Sequence, residues 1–448
     1  MLDTLITNAR IITMDDASPV FDSGCIGIAD GKISFVSPCE PENVQAREII
    51  DACGNIVMPG LINTHCHAAM CALRGYADDY ALQTWLFDKI FPAEGRLTRQ
   101  AVLAGAQLAI AEMLASGTTS FSDMYFYEPD TAEVVLNSGI RASLSNGITA
   151  FGDDFCFEND RAVRETMELL HSYHGKGGGR IRADASIHGE YTSRPDVWEK
   201  VAALAKENGL IIQVHVSETE NEHNECIKRY GMSPIQVLAK HGVLDNRIIA
   251  AHCVWLSDED MDILAKAGGS ASHNPTSNLK LASGIANIPK LIAHGINVCL
   301  GTDGCASNNN LDLLKEVKLA SLLAKGATLD PTSLPAYEAL KLATVNGAKA
   351  QGREHEIGML KAGFDADLIM LNVHHPKLQP IYEPVSTVVY SASGSDVCMT
   401  MVQGKVLYRD GIWYTLDVEK AIRDINEIAV PSVKGVTPQW FYLLYAKK

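Results

Sequence analysis

Two patterns of hydrophobic and polar residues divide the chain. Near the N-terminus, short runs of β-forming residues at 5–14, 24–28 and 32–36 are separated by turn pairs such as Asp15-Asp16. The C-terminal part returns to such runs at 366–371, 385–391, 399–402 and 405–408. The pattern predicts strands from both ends of the chain that pair in one small β-sandwich domain, 1–57 with 358–420, followed by a C-terminal extension, 421–448.

The central part of the chain, 58–357, repeats a different unit, in which an apolar run ends in polar residues and a helical stretch follows. Eight such runs are candidate parallel strands, at 56–63, 118–123, 141–145, 181–187, 210–216, 248–251, 269–272 and 297–301. Eight strands alternating with helices predict an α/β fold, a (β/α)8 TIM-type barrel. The alternative is an open doubly wound sheet, but no G-x-G-x-x-G follows the first strand.

Composition narrows the classes of partner. The 448 residues carry 38 Lys and Arg against 54 Asp and Glu, a net charge of −16 that repels nucleic acid and anionic lipid. No apolar run reaches the roughly 18 residues of a membrane span, and the first residues do not resemble a signal peptide. The 11 cysteines indicate neither a disulfide framework nor a cysteine zinc site. We expect a cytoplasmic protein with a small-molecule substrate, as a homodimer or homotetramer.

Five residues with metal-binding or acid-base side chains follow candidate strands. His65 and His67 follow the first strand, His215 the fifth, His252 the sixth and Asp303 the eighth. The C-terminal ends of barrel strands meet on one face, where active sites lie, so residues distant in sequence become neighbours there. A set of three such imidazoles and one carboxylate suits Zn²⁺ as a ligand set or, less specifically, Fe²⁺. The sequence therefore predicts a metal site.

A further carboxylate, Glu218, comes three residues after His215, where the fifth strand gives way to a loop. Bound Zn²⁺ lowers the pKa of its water molecule from 15.7 to about 7, and a nearby carboxylate can then transfer protons. This combination is typical of hydrolytic attack on an electrophilic carbon.

The motifs that carry these residues resemble those of the amidohydrolase superfamily, in its aminohydrolase branch. They are most similar to the 5-methylthioadenosine/S-adenosylhomocysteine deaminases, and the resemblance covers nearly the whole chain. The motifs are Pro59-Gly-Leu-Ile-Asn-Thr-His-Cys-His67, His215-Val-Ser-Glu218, His252-Cys253, Ser272-His-Asn-Pro-Thr-Ser-Asn-Leu-Lys-Leu281 and Gly301-Thr-Asp-Gly-Cys-Ala-Ser-Asn308.

The resemblance implies one metal ion bound by His65, His67, His215 and Asp303. Members with two metal ions use a lysine at the end of the fourth strand, where this chain has Ile187-His188-Gly189. By the same resemblance, Glu218 protonates the ring nitrogen beside the attacked carbon and His252 orients or deprotonates the water molecule. Asp303 takes up the proton of the water and passes it to departing ammonia.

Five substrate-binding residues are also implied by the resemblance. Glu94 corresponds to a glutamate that binds ribose hydroxyls, and a carboxylate accepts two hydroxyl protons well. Trp85 offers a flat apolar face to a purine, although ordinary core packing is the alternative for this residue. The other members of the set are Arg161, His188 and Glu218. An arginine that the family uses after the third strand is replaced here by Asn146.

The expected function is metal-dependent hydrolytic deamination of 5'-methylthioadenosine or S-adenosylhomocysteine, giving the inosine-type product and ammonia. One alternative is deamination or dechlorination of another heteroaromatic ring, such as guanine, a pterin or a triazine. A second alternative, from a different class, is a metal-binding protein that has lost its catalytic activity.

Overall fold

Both ends of the chain contribute to one sheet, as predicted. The computed structural model describes residues 1–38, 44–152 and 155–436, so the end of the predicted C-terminal extension lies outside the described residues. Leu2–Ile12 pairs antiparallel with Val20–Ala29, and Leu368–Leu371 pairs antiparallel with Ile56–Pro59. The described strands of this sheet are Leu2–Ile12, Val20–Ala29, Lys32–Ser37, Ala46–Asp51, Ile56–Pro59, Leu368–Leu371, Val397–Val402, Lys405–Arg409 and Ile412–Trp413.

The predicted strand at 385–391 is wrong, because this segment forms the helix Pro384–Tyr390. The run of β-branched residues favoured a strand in the sequence. Instead, Pro384 starts the first helical turn, and the Glu383 side chain accepts a hydrogen bond from the Val385 amide. Val385, Val388 and Val389 have helical spacing and are buried on one face.

The central part of the chain forms the predicted barrel of parallel strands and helices. Its described strands are Leu61–Cys66, Thr118–Tyr125, Arg141–Asn146, Ile181–Ala183, Ala185–Gly189, Ile212–Val216, Ile248–His252, Ser270–His273 and Asn297–Leu300. The first and last strands are joined by a hydrogen bond from Thr64 Oγ1 to the Leu300 carbonyl, at 2.9 Å. A second joins the Asp303 amide to the His65 carbonyl. The ends of these two strands therefore lie side by side.

Two predicted strands are divided in the structure. The run at 56–63 contributes Ile56–Pro59 to the terminal sheet and Leu61–Cys66 to the barrel. Gly60 lies at the junction, where an added Cβ would be 2.1 Å from Thr119 Oγ1, so the close approach of the two segments requires glycine. The run at 181–187 is divided at Asp184, so that its first part pairs with the third strand and its second with the fifth.

Helices cover the outside of the barrel and bury their apolar faces against it. The described α-helices are Phe91–Glu94, Arg99–Ala115, Glu128–Ser138, Arg161–Ser172, Pro195–Asn208, Glu220–Tyr230, Pro234–Lys240, Asp258–Lys266, Pro275–Lys280, Ile288–Ala293, Leu313–Thr328, Ala336–Leu342, Val345–Ala350, Pro384–Tyr390, Val418–Asp424 and Val430–Lys434. Throughout the described ranges, every helix is too short or too polar to span a lipid bilayer.

The end of the described chain packs beside one element of the active face. Thr84–Ile90 forms a π-helical turn that carries Trp85, and a second π-helical turn, Ile425–Ala429, lies near the C-terminus. Ile425 and Ala429 belong to the same buried apolar cluster as Trp85. The C-terminal segment therefore supports the element on which a predicted substrate-binding residue lies.

Candidate active site

The structure brings together the five residues that follow barrel strands: His65, His67, His215, His252 and Asp303. The Nε2 atom of His67 lies 3.3 Å from Asp303 Oδ1 and 3.3 Å from His215 Nε2. The Nε2 atom of His65 lies 3.6 Å from Asp303 Oδ1. All five residues are at most 7% exposed. Their side chains therefore converge on one small buried space, as the positions at strand ends predict.

The outer nitrogens of two imidazoles determine which atoms point inward. The Nδ1 atoms of His67 and His215 donate to the backbone carbonyls of Met124 and His188. When neutral, both rings therefore present an Nε2 lone pair to the centre. Two lone pairs 3.3 Å apart repel each other, and His65 Nε2 is buried without a hydrogen-bond partner in the described chain. A divalent cation between these atoms satisfies all of them, so the His and Asp group fits a divalent metal ion.

Asp303 is held by three donors in its own neighbourhood. Its Oδ2 atom accepts hydrogen bonds from Ser277 Oγ at 2.5 Å and Ser307 Oγ at 2.7 Å, while the Gly304 amide donates to Oδ1. Burial opposes ionisation of this carboxyl, but the neighbouring imidazoles of His65, His67 and His252 outweigh burial and hold the pKa of Asp303 well below its usual value. The carboxylate thus has a fixed orientation, with Oδ1 toward the imidazoles.

Glu218 and His252 lie beside this group. His252 Nε2 is 3.8 Å from Glu218 Oε2, and the opposite ring nitrogen, Nδ1, is 2.8 Å from Asn278 Oδ1. Ser283 Oγ donates to Glu218 Oε1 at 3.1 Å. Burial raises the pKa of Glu218, so this carboxyl holds a proton more firmly than an exposed glutamate does. Such an environment suits a general acid.

The backbone is strained at the same strand ends. Ser217, His252, Cys253 and Asp303 all have positive φ angles, between 48° and 73°, a region that residues other than glycine rarely occupy. Such strain persists only where the surrounding structure over-determines it, and it concentrates at functional sites. These turns direct the side chains of His252 and Asp303 toward the common space.

The converging side chains form the floor of one cavity of about 390 Å³. The cavity is lined by every predicted site residue except His65, which lies beneath it: His67, Trp85, Glu94, Arg161, His188, His215, Glu218, His252 and Asp303. Glu94 is 8% exposed, and its Oε1 atom has no hydrogen-bond partner in the described chain. Burial raises the pKa of Glu94 to about 7. The predicted metal ligands and substrate-binding residues therefore face the same space.

Comparison with known proteins agrees with this geometry. The family model described as "Amidohydrolase family" matches residues 56–407. The chain belongs to the amidohydrolase family. It is 46% identical over 436 residues to the 5'-deoxyadenosine deaminase of Methanosarcina mazei, covering 97% of this chain and 100% of the relative. The predicted family and the α/β barrel are confirmed.

Two further proteins are similar to this amidohydrolase, one in sequence and one in structure. The 5-methylthioadenosine/S-adenosylhomocysteine deaminase of Caldicellulosiruptor saccharolyticus is 44% identical over 430 residues, covering 95% of this chain and 98% of the relative. The crystal structure of an adenosine deaminase from Xanthomonas campestris with bound zinc superposes with a TM-score of 0.91 at 30% identity. That comparison covers 97% of this chain and 99% of the other.

Sequence reasoning missed the aromatic wall of the amidohydrolase cavity. The wall consists of Phe91, Tyr125, Phe126, Tyr127, Phe151 and Tyr191. Tyr125 ends the strand Thr118–Tyr125, and Phe126 and Tyr127 follow it directly, so the strand-end rule that found the histidines could also have found them. Tyr191 comes two residues after the strand Ala185–Gly189 and fits the same rule, whereas Phe91 and Phe151 lie farther from strand ends and carry no such signal.

Arg161 lines the cavity, whereas Asn146 does not. The Arg161 guanidinium lies over the Tyr127 ring at 4.4 Å from its centroid and lines the cavity. Asn146 is fully buried and does not line the cavity. Its Oδ1 atom accepts from the Glu128 amide, and its Nδ2 atom has no partner in the described chain. Arg161 is therefore the one arginine or lysine among the described lining residues.

Proposed function

We propose that this amidohydrolase binds one divalent ion through His65, His67, His215 and Asp303 and hydrolytically deaminates an adenine nucleoside. The observation that carries the proposal is that the ligand set, the buried acid Glu218 and the carboxylate of Glu94 face one cavity of about 390 Å³. Two relatives whose names specify deamination of adenine nucleosides, at 46% and 44% identity, support the same reaction. Zn²⁺ is the preferred ion over Fe²⁺, since zinc is bound in the related adenosine deaminase.

A single ion is favoured by the end of the fourth strand. His188 stands there, and its ring nitrogen Nδ1 bonds to Thr192 Oγ1 at 3.0 Å. Burial lowers the pKa of His188 to about 3, so the ring is neutral. Its backbone carbonyl accepts the His215 hydrogen bond that orients a proposed ligand. His188 therefore supports a proposed ligand through its backbone, and this position lacks the lysine that members with two metal ions use.

The chemistry divides among the side chains around the cavity floor. A divalent ion in such a site supplies a water molecule whose pKa falls to about 7, which can attack carbon at neutral pH. Glu218 gives its proton to the ring nitrogen beside the amino-bearing carbon, because an uncharged purine ring accepts electrons poorly. His252, held by Asn278, orients the attacking water. Asp303 takes the proton from the water and transfers it to the departing amino group.

Substrate recognition is assigned to the upper part of the cavity. Glu94 accepts hydrogen bonds from the two ribose hydroxyls, and Trp85 packs against the nucleoside. Aromatic residues form much of the remaining wall, and Arg161 is already stacked on Tyr127. Because Arg161 is the one arginine or lysine in the described lining, we infer a preference for small uncharged 5' groups. 5'-Deoxyadenosine and 5'-methylthioadenosine should react faster than S-adenosylhomocysteine, which ends in a charged amino acid.

The test is a panel of substrates measured with the metal-loaded protein and a Glu94→Ala variant. Removal of a carboxylate that accepts charge-assisted hydrogen bonds costs about 1.5–3 kcal/mol per bond, so kcat/KM for 5'-deoxyadenosine should fall at least about tenfold. Turnover of the free bases adenine and guanine should change little. Asp88→Ala, an exposed acid on the turn that carries Trp85, is the matched control. Faster turnover of free bases than of nucleosides, or equal loss for both classes in Glu94→Ala, would contradict the proposed role.

A further inference from the structure

A pair of thiols lies just outside the proposed metal site. Cys71 is in the short 3-10 helix Ala68–Leu73, directly after His67, and Cys305 comes two residues after Asp303. Although 234 positions separate them in sequence, their Sγ atoms are 3.2 Å apart. Both side chains are buried. The two thiols therefore connect the loops that follow the first and last barrel strands.

Arg74 gives this pair a distinctive environment. Its Nη2 atom donates to Cys71 Sγ at 3.2 Å, and its guanidinium forms an ion pair with Glu112. About a third of the Arg74 side chain is exposed, so the pair lies close to the protein surface. The guanidinium therefore contacts the sulfur that faces Cys305.

A second metal site is the competing interpretation, because Cys71, Glu112 and Cys305 lie close enough together to share an ion. The positive charge of Arg74 already occupies this position, since it contacts both the Cys71 sulfur and the Glu112 carboxylate. A cation would have to displace the guanidinium and overcome its repulsion. The geometry therefore favours reaction between the two sulfurs.

We propose that Cys71 and Cys305 form a reversible disulfide when the protein meets a peroxide, and that this cross-link lowers turnover. The Cys71 sulfur attacks a peroxide oxygen and the O–O bond breaks, the thiol proton goes to the departing oxygen, and a sulfenic acid and an alcohol or water are formed. The Cys305 sulfur then attacks the Cys71 sulfur, its proton leaves with the hydroxyl group as water, and the S–S bond forms. Two thiols are oxidised, and one peroxide is reduced.

The loss of turnover follows from the packing between the two loops. A disulfide requires an S–S distance of about 2.05 Å, so the sulfurs must approach by roughly 1 Å. The loops have little free space between them, since a Cβ added at Gly304 would lie 2.4 Å from Met70 Sδ. Movement of Cys305 or Cys71 is therefore passed on to Asp303 and His67. A misplacement of about 1 Å can cost on the order of 100-fold in rate, and we expect at least a tenfold loss.

The experiment exposes the metal-loaded full-length protein to hydrogen peroxide and follows two properties. Peptide mapping under non-reducing conditions should show the peptide with Cys71 joined to the peptide with Cys305. Deamination of 5'-deoxyadenosine should fall at least tenfold and recover after treatment with dithiothreitol. Cys71→Ser and Cys305→Ala should keep the initial activity and resist the loss. Cys53→Ser and Cys156→Ser, which change exposed cysteines, should remain sensitive.

Several results would overturn the proposal. Oxidation of exposed Cys53 and Cys156 without the Cys71–Cys305 cross-link would show that the pair does not react. A cross-link with unchanged turnover would refute the effect on activity, and equal loss in Cys71→Ser and Cys305→Ala would place the damage elsewhere. Because the cross-link is detected by mass, its absence is distinguishable from a failure of the proposed deaminase function.

Discussion

Glu218 shows how one residue acquires a role from its surroundings. It lies three positions after His215, at a strained strand end, and it contacts Ser283 and His252. Burial raises its pKa, which suits a group that must give a proton to a weakly basic ring nitrogen. A serine hydroxyl and an imidazole lie against it, and within the described ranges no lysine or arginine forms an ion pair with it.

Glu218→Gln should therefore lower kcat by about 10²–10⁴-fold, because glutamine has the same shape but carries no transferable proton. Metal content measured by elemental analysis should not change, since Glu218 is outside the proposed ligand set. Glu220→Gln, an exposed neighbour, serves as the control and should retain full activity. Turnover of Glu218→Gln within threefold of the unaltered protein would exclude the acid role.

The residues that follow barrel strands could be found from sequence because the barrel itself makes them neighbours. His65, His67, His215, His252 and Asp303 needed only the strand assignments. Two groups that hold them in place, Asn278 beside His252 and Ser277 beside Asp303, lie in the short helix Pro275–Lys280, which has no clear periodic pattern. Their contacts depend on tertiary packing, which the sequence pattern does not encode.

At the scale of elements, most of the predicted strands are present, and the predictions failed at segments whose structure depends on tertiary contacts. The valines at 385–389 favour a strand by propensity, but the cap at Glu383 and burial of one face produced a helix. The run at 56–63 appears as a single strand in the sequence, yet the approach of Gly60 to Thr119 divides it between two sheets. Local propensity does not predict either contact.

Asp184 lies where the predicted fourth strand divides, and it should make stability depend on pH. It is 2% exposed and accepts a hydrogen bond from Gln213 Nε2 at 3.0 Å. Burial raises its pKa from 3.8 to about 7. Between these values the unfolded chain loses its proton while the folded chain keeps it, so the free energy of unfolding falls as pH rises from about 4 to about 7.

Asp184→Asn keeps an acceptor for Gln213 and removes this loss. The free energy of unfolding of the variant, relative to that of the unaltered protein, should therefore rise by at least about 1.4 kcal/mol between pH 5 and pH 8. This is the free energy of one pKa unit. Urea unfolding at the two pH values measures the difference, and Asp88→Asn, an exposed site, is the control. An equal change in both variants would show that Asp184 ionises normally in the folded protein.

At the scale of the whole molecule, the sheet formed by both chain ends is fastened to the barrel by a buried ion cluster. Arg141, on a barrel strand, is 1% exposed and bonds to Asp365 and Asp367 at 2.9 Å each. The pairing of the two chain ends could be predicted from their β-rich patterns. The cluster could not, because its partners are more than 220 positions apart in sequence.

Arg141→Ala should lower the free energy of unfolding by about 3–5 kcal/mol, because it leaves the buried Asp367 carboxylate without its cation, while Asp365 keeps its ion pair with Lys32. Arg99→Ala provides the comparison, since its ion pair with Asp130 is largely exposed and should be worth less than about 1 kcal/mol. Denaturant unfolding of the metal-loaded proteins measures both. Similar losses in the two variants would mean that the buried cluster contributes no more than a surface pair.

The most direct test of the proposed active site is a titration of metal-stripped protein with Zn²⁺, in which ammonia release from 5'-deoxyadenosine is measured at each step. The ligand set of His65, His67, His215 and Asp303 predicts that the rate rises linearly and reaches a plateau at one ion per chain. A plateau at two ions per chain, or no ammonia at any zinc content, would contradict it.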